Sequence, residues 1–222
     1  MLALEFLHHG ATDPARVILF PGSWNPPTVA HVEIARTALT HADEVIWVLP
    51  RRFPHKDFEG AGFDARRGML EKIARQHDGF SAAISDGGLY AEIADEAREY
   101  FGPKTGIALV LGRDAAERIA AWDYGAPGVF DEFIRRHRLL VAARDGEYEP
   151  AEPHRDFIST LKMESSWDDV SSSEVRRRVA EGEDWRALVP AAVAEIVQNL
   201  YRGEPDGNAG KASNHRSIER QP

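Results

Sequence analysis

The sequence predicts a single α/β domain built on a doubly wound parallel sheet. Two observations predict this fold: short, almost purely apolar runs recur along the chain, and amphipathic helical patterns separate them. Strands that are apolar on both faces are typical of a parallel sheet covered by helices on both sides, and right-handed crossovers connect such strands. A chain of 222 residues suits one domain of this kind with a substantial core.

The elements follow in order from local composition. The first predicted strand is Arg16 to Phe20, because Val, Ile, Leu and Phe stand together there. Similar apolar runs predict further strands at Glu44 to Pro50, Phe80 to Ser85, Gly106 to Gly112 and Arg138 to Arg144. Apolar residues at helical spacing predict helices over about Thr28 to Ala42, Asp64 to His77, Tyr90 to Phe101, Ser172 to Glu181 and Pro190 to Tyr201.

The last segment differs from the rest. From Gly203 onward it reads GEPDGNAGKASNHRSIERQP, with little apolar content and several helix breakers. Such a segment cannot bury enough surface to offset the entropy of ordering. We therefore predict one domain over residues 1–202, with helices at its C-terminal end, and a disordered tail over residues 203–222.

Composition excludes several classes of protein. No apolar run approaches the ~20 residues of a membrane span, and MLALEFLHHG lacks the basic n-region of a secretory signal. The absence of cysteine excludes disulfides and thiolate metal sites and is compatible with a cytoplasmic protein. A net charge of −9 argues against non-specific nucleic-acid binding. We expect small-molecule substrates, while the oligomeric state stays open.

The stretch after the first predicted strand carries more chemistry than a turn requires. It reads FPGSWNPPTVAH and leads into a predicted helix. Gly22 lets the backbone approach a ligand closely, and the free N–H groups of the helix attract an anion such as phosphate. Thr28 and His31 lie three residues apart, so a hydroxyl and an imidazole can reach one ligand together. A simple N-cap for Thr28 and an ordinary half-buried histidine are the alternatives.

A second anion site is predicted near the other end of the chain. Ser171, Ser172 and Ser173 stand at the start of a predicted helix, and Arg176 follows one turn later. Hydroxyls at a helix N-terminus and a guanidinium suit the phosphates of a nucleoside triphosphate. A serine-rich N-cap with a solvated basic face is the alternative. Ligands of doubly wound sheets bind beyond the carboxyl ends of the strands, so we expect both segments to converge there.

Both segments resemble the signatures of the nucleotidyltransferase superfamily. Residues 22–31 resemble Gly-Ser/Thr-Phe-Asp/Asn-Pro-x-His/Thr-x-Gly-His, with Trp24, Thr28 and Ala30 as departures, and residues 170–176 resemble Ile-Ser-Ser-Thr-x-Ile-Arg. The resemblance implies a Rossmann-like, cytidylyltransferase-like fold. It also implies that ATP is a substrate. Because the two segments supply donors and cations and not a nucleophile with its base, we predict direct in-line transfer, with Mg²⁺ on the triphosphate.

Segments between the two signatures resemble bacterial nicotinate mononucleotide adenylyltransferases. They read LPRRFPHK at 49–56, RRGML at 66–70 and GRDAAERIAAW at 112–122, and the resemblance covers about residues 17–201. It implies transfer of AMP from ATP to the phosphate of nicotinate mononucleotide, which gives deamido-NAD and pyrophosphate in NAD biosynthesis.

The resemblance implies three groups of site residues. The catalytic residues would be His31, Thr28, Lys56 and Arg176. The ATP phosphates would be bound by Gly22, Ser23, Thr28, His31, Ser171, Ser172, Ser173 and Arg176. The acceptor would be bound by Trp24, Asn25, His55, Lys56, Asp114 and Trp122, with Asp114 accepting from a ribose hydroxyl and Trp122 stacking on the pyridine ring. Core packing for Trp122 and a loop charge for Lys56 are the alternatives, and no spacing is typical of a protein metal site.

One segment departs from this family. Where its members carry Ser-Tyr-Thr-x-x-Thr-Leu, residues 85–102 keep only Tyr90. The acceptor therefore stays open between nicotinate mononucleotide, nicotinamide mononucleotide and another phosphorylated acceptor of phosphopantetheine type. A non-catalytic nucleotide-sensing protein of the same fold is an alternative of another class. The sequence contains neither a P-loop nor a dinucleotide-binding glycine motif, and it indicates no covalent intermediate.

Overall fold

The fold is a mixed sheet with helices on both faces. It is described by a computed structural model for residues 4–54, 60–143, 148–163, 167 and 169–202. The predicted tail at 203–222 and the candidate residues His55 and Lys56 lie outside the described residues. The strands are β1 (Leu4–His8), β2 (Arg16–Pro21), β3 (Glu44–Pro50), β4 (Phe80–Ser85), β5 (Gly106–Gly112), β6 (Arg138–Ala143) and β7 (Ile158–Lys162).

Seven helices connect and flank these strands in the described part of the chain. They are α1 (Val29–Leu39), α2 (Phe63–Ala74), α3 (Tyr90–Phe101), α4 (Arg113–Ala120), α5 (Val129–Arg136), α6 (Ser172–Glu181) and α7 (Ala194–Tyr201). Short 3₁₀ turns lie at Glu152–His154, Arg186–Leu188 and Ala191–Val193. Among the described helices, none is both long enough and apolar enough to cross a membrane.

The strand order confirms the doubly wound prediction. The sheet runs β1-β4-β3-β2-β5-β6-β7, and every pair is parallel except β1 with β4. From the central strand β2 the chain moves outward through β3 and β4, and the later strands β5 to β7 extend the other side. The winding direction therefore reverses between β2 and β5, and the carboxyl ends of these two strands flank the place where such folds bind ligands.

The core lies on both faces of the sheet. Val45, Trp47 and Leu49 of β3 point into one buried cluster, and Ile46 and Val48 point into the other. Successive side chains of a strand alternate between faces, so a strand covered on both sides is apolar at every position. This explains why the strands were visible in the sequence as continuous apolar runs.

Four elements had not been predicted. The edge strands β1 and β7 are short, and each pairs with a single neighbour, so their sequences lack a long apolar run. The helices α4 and α5 have eight residues each, which gives little room for a helical pattern to repeat. The first helix also begins one residue later than predicted: Thr28 is extended, with φ −117° and ψ 167°, and caps the helix from outside.

Candidate functional site

A cavity of about 450 Å³ opens at the carboxyl ends of β2 and β5. Its walls combine the segment after β2, the start of α1, the loops after β3 and β4, the first turns of α3 and α4, and the N-terminus of α6. The lining residues are Phe20, Pro21, Gly22, Ser23, Trp24, His31, Ile34, Pro50, Phe53, Gly88, Tyr90, Ile93, Gly112, Arg113, Asp114, Ala115, Arg118, Ser171 and Ser172. The volume suits a nucleotide-sized ligand.

The segment Gly22–Pro27, which we call the phosphate loop, has an unusual backbone. Trp24 is buried and adopts φ 53°, a left-handed conformation that is uncommon for a large side chain. Its indole N–H donates to the carbonyl of Val48 at 2.8 Å, and its ring packs at 4.7 Å from that of Trp47. A Cβ at Gly22 would lie 2.8 Å from the Trp24 ring, so only glycine fits there. The surroundings thus hold a conformation that local preference disfavours.

The N-terminus of α6 holds the phosphate loop from one side. The Arg176 guanidinium donates to the carbonyl of Asn25 at 2.6 Å, and the Ser172 hydroxyl donates to the carbonyl of Pro26 at 2.7 Å. Arg176 also donates to the Ser173 hydroxyl at 3.2 Å. The two predicted anion segments therefore converge. Ser172 lines the cavity, whereas Ser173 and Arg176 are not among its lining residues.

Arg66 of α2 holds the same loop from another side. Its guanidinium donates to the carbonyl of Ser23 at 3.2 Å and lies 5.3 Å and 5.8 Å from the ring centres of Phe53 and Phe63. The side chain is buried, and this burial lowers the pKa of the guanidinium. Carbonyl groups before and after Trp24 thus accept hydrogen bonds from arginines of two different helices. Arg66 was not predicted as a site residue, although it lies in the segment 66–70 that resembles the family.

His31 reaches the cavity and is oriented by Thr28. The Thr28 N–H donates to Nδ1 of His31 at 3.0 Å, and the Thr28 hydroxyl lies 2.7 Å from the same nitrogen. A backbone N–H can only donate, so Nδ1 accepts and the proton of the neutral imidazole is on Nε2. Thr28 itself is fully buried and is not part of the cavity lining. The structure therefore places the Thr28 hydroxyl behind the imidazole, not beside it as a second ligand contact.

The side chain of Asn25 forms hydrogen bonds with other parts of the protein. It is buried, and its Oδ1 accepts from the N–H of Ala61 at 3.1 Å and from the hydroxyl of Tyr201. Burial raises the pKa of Tyr201 to about 12, so this hydroxyl keeps its proton and donates. Asn25 does not line the cavity, although it had been expected to contact the acceptor. Tyr201 is a further residue that sequence analysis missed, because its partner lies 176 residues away.

The other predicted residues divide between two places. Ser171 caps α6 by accepting from the Glu174 N–H at 3.1 Å. Ser171, Gly22 and Ser23 all line the cavity. Asp114, in the first turn of α4, also lines it. Trp122 does not. Helix α4 ends at Ala120, and the indole, 38% exposed, lines a separate depression with residues 123–130.

The comparison with protein families identifies this architecture. The cytidylyltransferase-like family model matches residues 19–178. The chain belongs to the cytidylyltransferase-like family. The matched residues of this cytidylyltransferase-like chain include the phosphate loop, His31 and the N-terminus of α6.

Curated relatives of this cytidylyltransferase-like chain share most of its length. A protein of Salinibacter ruber named "Probable nicotinate-nucleotide adenylyltransferase" is 31% identical over 194 residues, which are 83% of this chain and 96% of that protein. A protein of the same name from Anaeromyxobacter dehalogenans is 33% identical over 199 residues, which are 84% of this chain and 97% of that protein. The family prediction is confirmed.

Solved structures support the fold of this cytidylyltransferase-like chain. Plasmodium falciparum nicotinic acid mononucleotide adenylyltransferase, complexed with NaAD, matches with a TM-score of 0.63 and 19% identity over 84% of this chain and 97% of that one. The same enzyme complexed with APC matches with a TM-score of 0.63 and 18% identity over the same shares. At such identities the likeness concerns the fold.

Proposed function

We propose that this protein transfers AMP from ATP to the phosphate of nicotinate mononucleotide. An oxygen of the acceptor phosphate attacks the α-phosphorus of ATP, the bond from that phosphorus to the β-phosphate oxygen breaks, and deamido-NAD and pyrophosphate are the products. The observation that carries the proposal is a single cavity lined by His31 and by the N-terminus of α6. The names of the curated relatives support the same reaction.

We place the phosphates of ATP at the N-termini of α1 and α6. Gly22 and Ser23 line the cavity beside His31, while Ser171 and Ser172 line it from α6. Backbone N–H groups and hydroxyls at helix starts are suited to anions, and helix dipoles add to the attraction. Pyrophosphate would leave toward α6, where Ser173 and Arg176 add a hydroxyl and a cation near the lining residues.

His31 is the group proposed to act on the transition state. Its Nε2–H would donate to an α-phosphoryl oxygen as negative charge shifts during transfer. Thr28 is proposed as the residue that keeps the imidazole in this tautomer and orientation, since its N–H and hydroxyl both contact Nδ1. Trp24 and Asn25 are proposed to maintain the conformation of the phosphate loop. Direct transfer needs no nucleophile from the protein.

The remaining proposed contacts concern the acceptor, the metal and the surroundings. Asp114 would accept from a ribose hydroxyl, and His55 and Lys56 are proposed to contact the acceptor. Mg²⁺ bound to the triphosphate would neutralise charge on its oxygens. Oxygens of the triphosphate and water would supply most of its ligands. We place the reaction in the cytoplasm, where ATP is available.

A direct assay tests this proposal. The protein is incubated with ATP, Mg²⁺ and one of three acceptors, namely nicotinate mononucleotide, nicotinamide mononucleotide or phosphopantetheine, and pyrophosphate and the product mass are measured. We expect deamido-NAD with nicotinate mononucleotide. Product with phosphopantetheine instead would reassign the acceptor, and ATP binding without any product would favour a nucleotide sensor.

A substitution of His31 tests the mechanism. His31→Ala should lower kcat by about 100-fold, as expected for loss of a transition-state donor, while ATP still binds. His31→Asn serves as the comparison, because a side-chain amide can donate from a similar position. Turnover of the alanine variant within threefold of the wild type would remove His31 from the mechanism.

A further inference from the structure

The lining of the cavity includes apolar side chains that suit a flat ring. They are Phe53, Tyr90 and Ile93, together with Pro50 at the end of β3. Aromatic and aliphatic side chains pack well against a heteroaromatic ring. If the proposed acceptor binds here, its pyridine ring lies against these side chains, and its ring substituent meets a polar group beside them.

Three backbone N–H groups of the loop after β4 are already bonded to carboxylates. The N–H of Gly87 donates to Glu96 at 2.6 Å, and those of Gly88 and Leu89 donate to Glu92 at 2.8 Å and 3.1 Å. The bonds from Leu89 and Gly88 lower the pKa of Glu92, so it is an anion at neutral pH. These three N–H groups are therefore not available to a ligand, and selection of a negatively charged substituent requires another group.

Among the described residues that line the cavity, Arg118 is a cation that could bind such a substituent. It lies in the last turn of α4 and lines the cavity together with Tyr90. Arg118 forms no ion pair with a described carboxylate, and this includes Asp114, which lies one helical turn earlier. By contrast, Arg113 on the same helix donates to Glu117 at 2.8 Å. Burial raises the pKa of Tyr90 to about 12, and the positive charge of Arg118 opposes this rise.

We propose that Arg118 determines acceptor specificity by binding the ring carboxylate of nicotinate mononucleotide in preference to the neutral amide of nicotinamide mononucleotide. A guanidinium binds a carboxylate through two parallel hydrogen bonds and pairs with its negative charge. A neutral amide has only one oxygen that can accept and carries no charge. The inference rests on the proposed function, because it concerns the acceptor of that reaction. It assigns acid selection to α4, since the hydroxyl donors expected after β4 are missing from this sequence.

The test compares the two acceptors in matched variants. Values of kcat/KM are measured for both acceptors at saturating ATP with the wild type, Arg118→Gln, Arg118→Lys and the control Arg113→Gln. The wild type should prefer the acid. Arg118→Gln should lower kcat/KM for the acid by about 10- to 100-fold, the range for a hydrogen bond between charged groups, and change the amide value less than threefold.

The other variants separate charge from geometry. Arg118→Lys keeps the charge without the fork and should give an intermediate value for the acid. Arg113→Gln removes a cavity-lining cation that is already paired and should leave the acid-to-amide ratio within twofold of the wild type. Melting temperatures check that the variants are folded, which is expected because Arg118 is exposed.

One result overturns the inference alone, and two others also bear on the proposed function. An unchanged acid-to-amide ratio in Arg118→Gln, with product still formed, shows that the selection lies elsewhere. A wild-type preference for the amide also contradicts it. If the wild type forms a dinucleotide from neither acceptor, the proposed function is refuted and the inference falls with it.

Discussion

Replacing Arg66 by methionine removes one of the two arginines that hold the phosphate loop. The change deletes the 3.2 Å hydrogen bond to the Ser23 carbonyl and the contacts with the rings of Phe53 and Phe63. Methionine has a similar length and fills irregular apolar gaps, so it should occupy the space between the two rings. The perturbation is therefore aimed at the loop, with little change in packing.

The expected magnitude follows from opposing contributions. A hydrogen bond to a charged group contributes about 1.5–3 kcal/mol, and each desolvated cation–π contact about 1–2 kcal/mol. Against this loss, the guanidinium is buried and its pKa is lowered, and replacing a buried charge by an apolar group is often neutral. We expect a net loss of about 1–2 kcal/mol of unfolding free energy, which lowers the melting temperature by about 2–8 °C.

Arg66→Met should lower kcat strongly, although it lowers the unfolding free energy only modestly. Ser23 lines the cavity, and a displacement of a positioning group by about 1 Å can cost up to ~100-fold in rate. We expect kcat for pyrophosphate release to fall by about 10- to 100-fold at 25 °C, where the variant remains folded. The matched control is Arg67→Met, because Arg67 is the adjacent and exposed arginine of α2. Equal kcat values for the two variants, together with a lowered melting temperature for Arg66→Met, would refute a role of Arg66 in positioning the loop.

Two further predictions concern α7 and α3. Tyr201→Phe removes the donor to Asn25 Oδ1 and should cost about 1 kcal/mol of unfolding free energy; chemical denaturation measures this, and an unchanged midpoint would mean that the hydrogen bond contributes nothing. The pKa of Glu92 is lowered by N–H donors, so its stabilisation is present above the carboxyl pKa of the unfolded chain and is lost as pH falls through the folded value. Wild type should therefore exceed Glu92→Gln in stability at pH 7 and match it in strong acid, whereas a constant difference in denaturation midpoints would contradict this linkage.

Much of the fold could be predicted because each strand inside a parallel sheet is a continuous apolar run in the sequence. The apolar runs at β2 to β6 are buried on both faces, so each strand could be recognised without knowing its neighbours. The edge strand β1 could not, since its pairing with β4 joins residues about 80 positions apart. The antiparallel direction of that pair also depends on tertiary packing.

The site was predictable as two anion-binding segments but not as a set of contacts. Sequence analysis brought the segment after β2 and the start of α6 together, and the structure shows the bonds of Ser172 and Arg176 that join them. It could not assign Thr28 to orienting His31, because the burial of Thr28 depends on packing around the helix start. It missed Arg66 because a bond to a backbone carbonyl leaves no residue-specific pattern in the partner.

The bond between Tyr201 and Asn25 also bears on biosynthesis. A ribosome makes the phosphate loop early, yet the hydroxyl that meets Asn25 is added only when translation reaches the end of α7. A nascent chain that lacks this helix therefore has an incomplete loop support, and nucleotide turnover should begin only after the whole domain has emerged. For the same reason, affinity tags fused on the C-terminal side should follow residue 202 and leave the last turn of α7 intact.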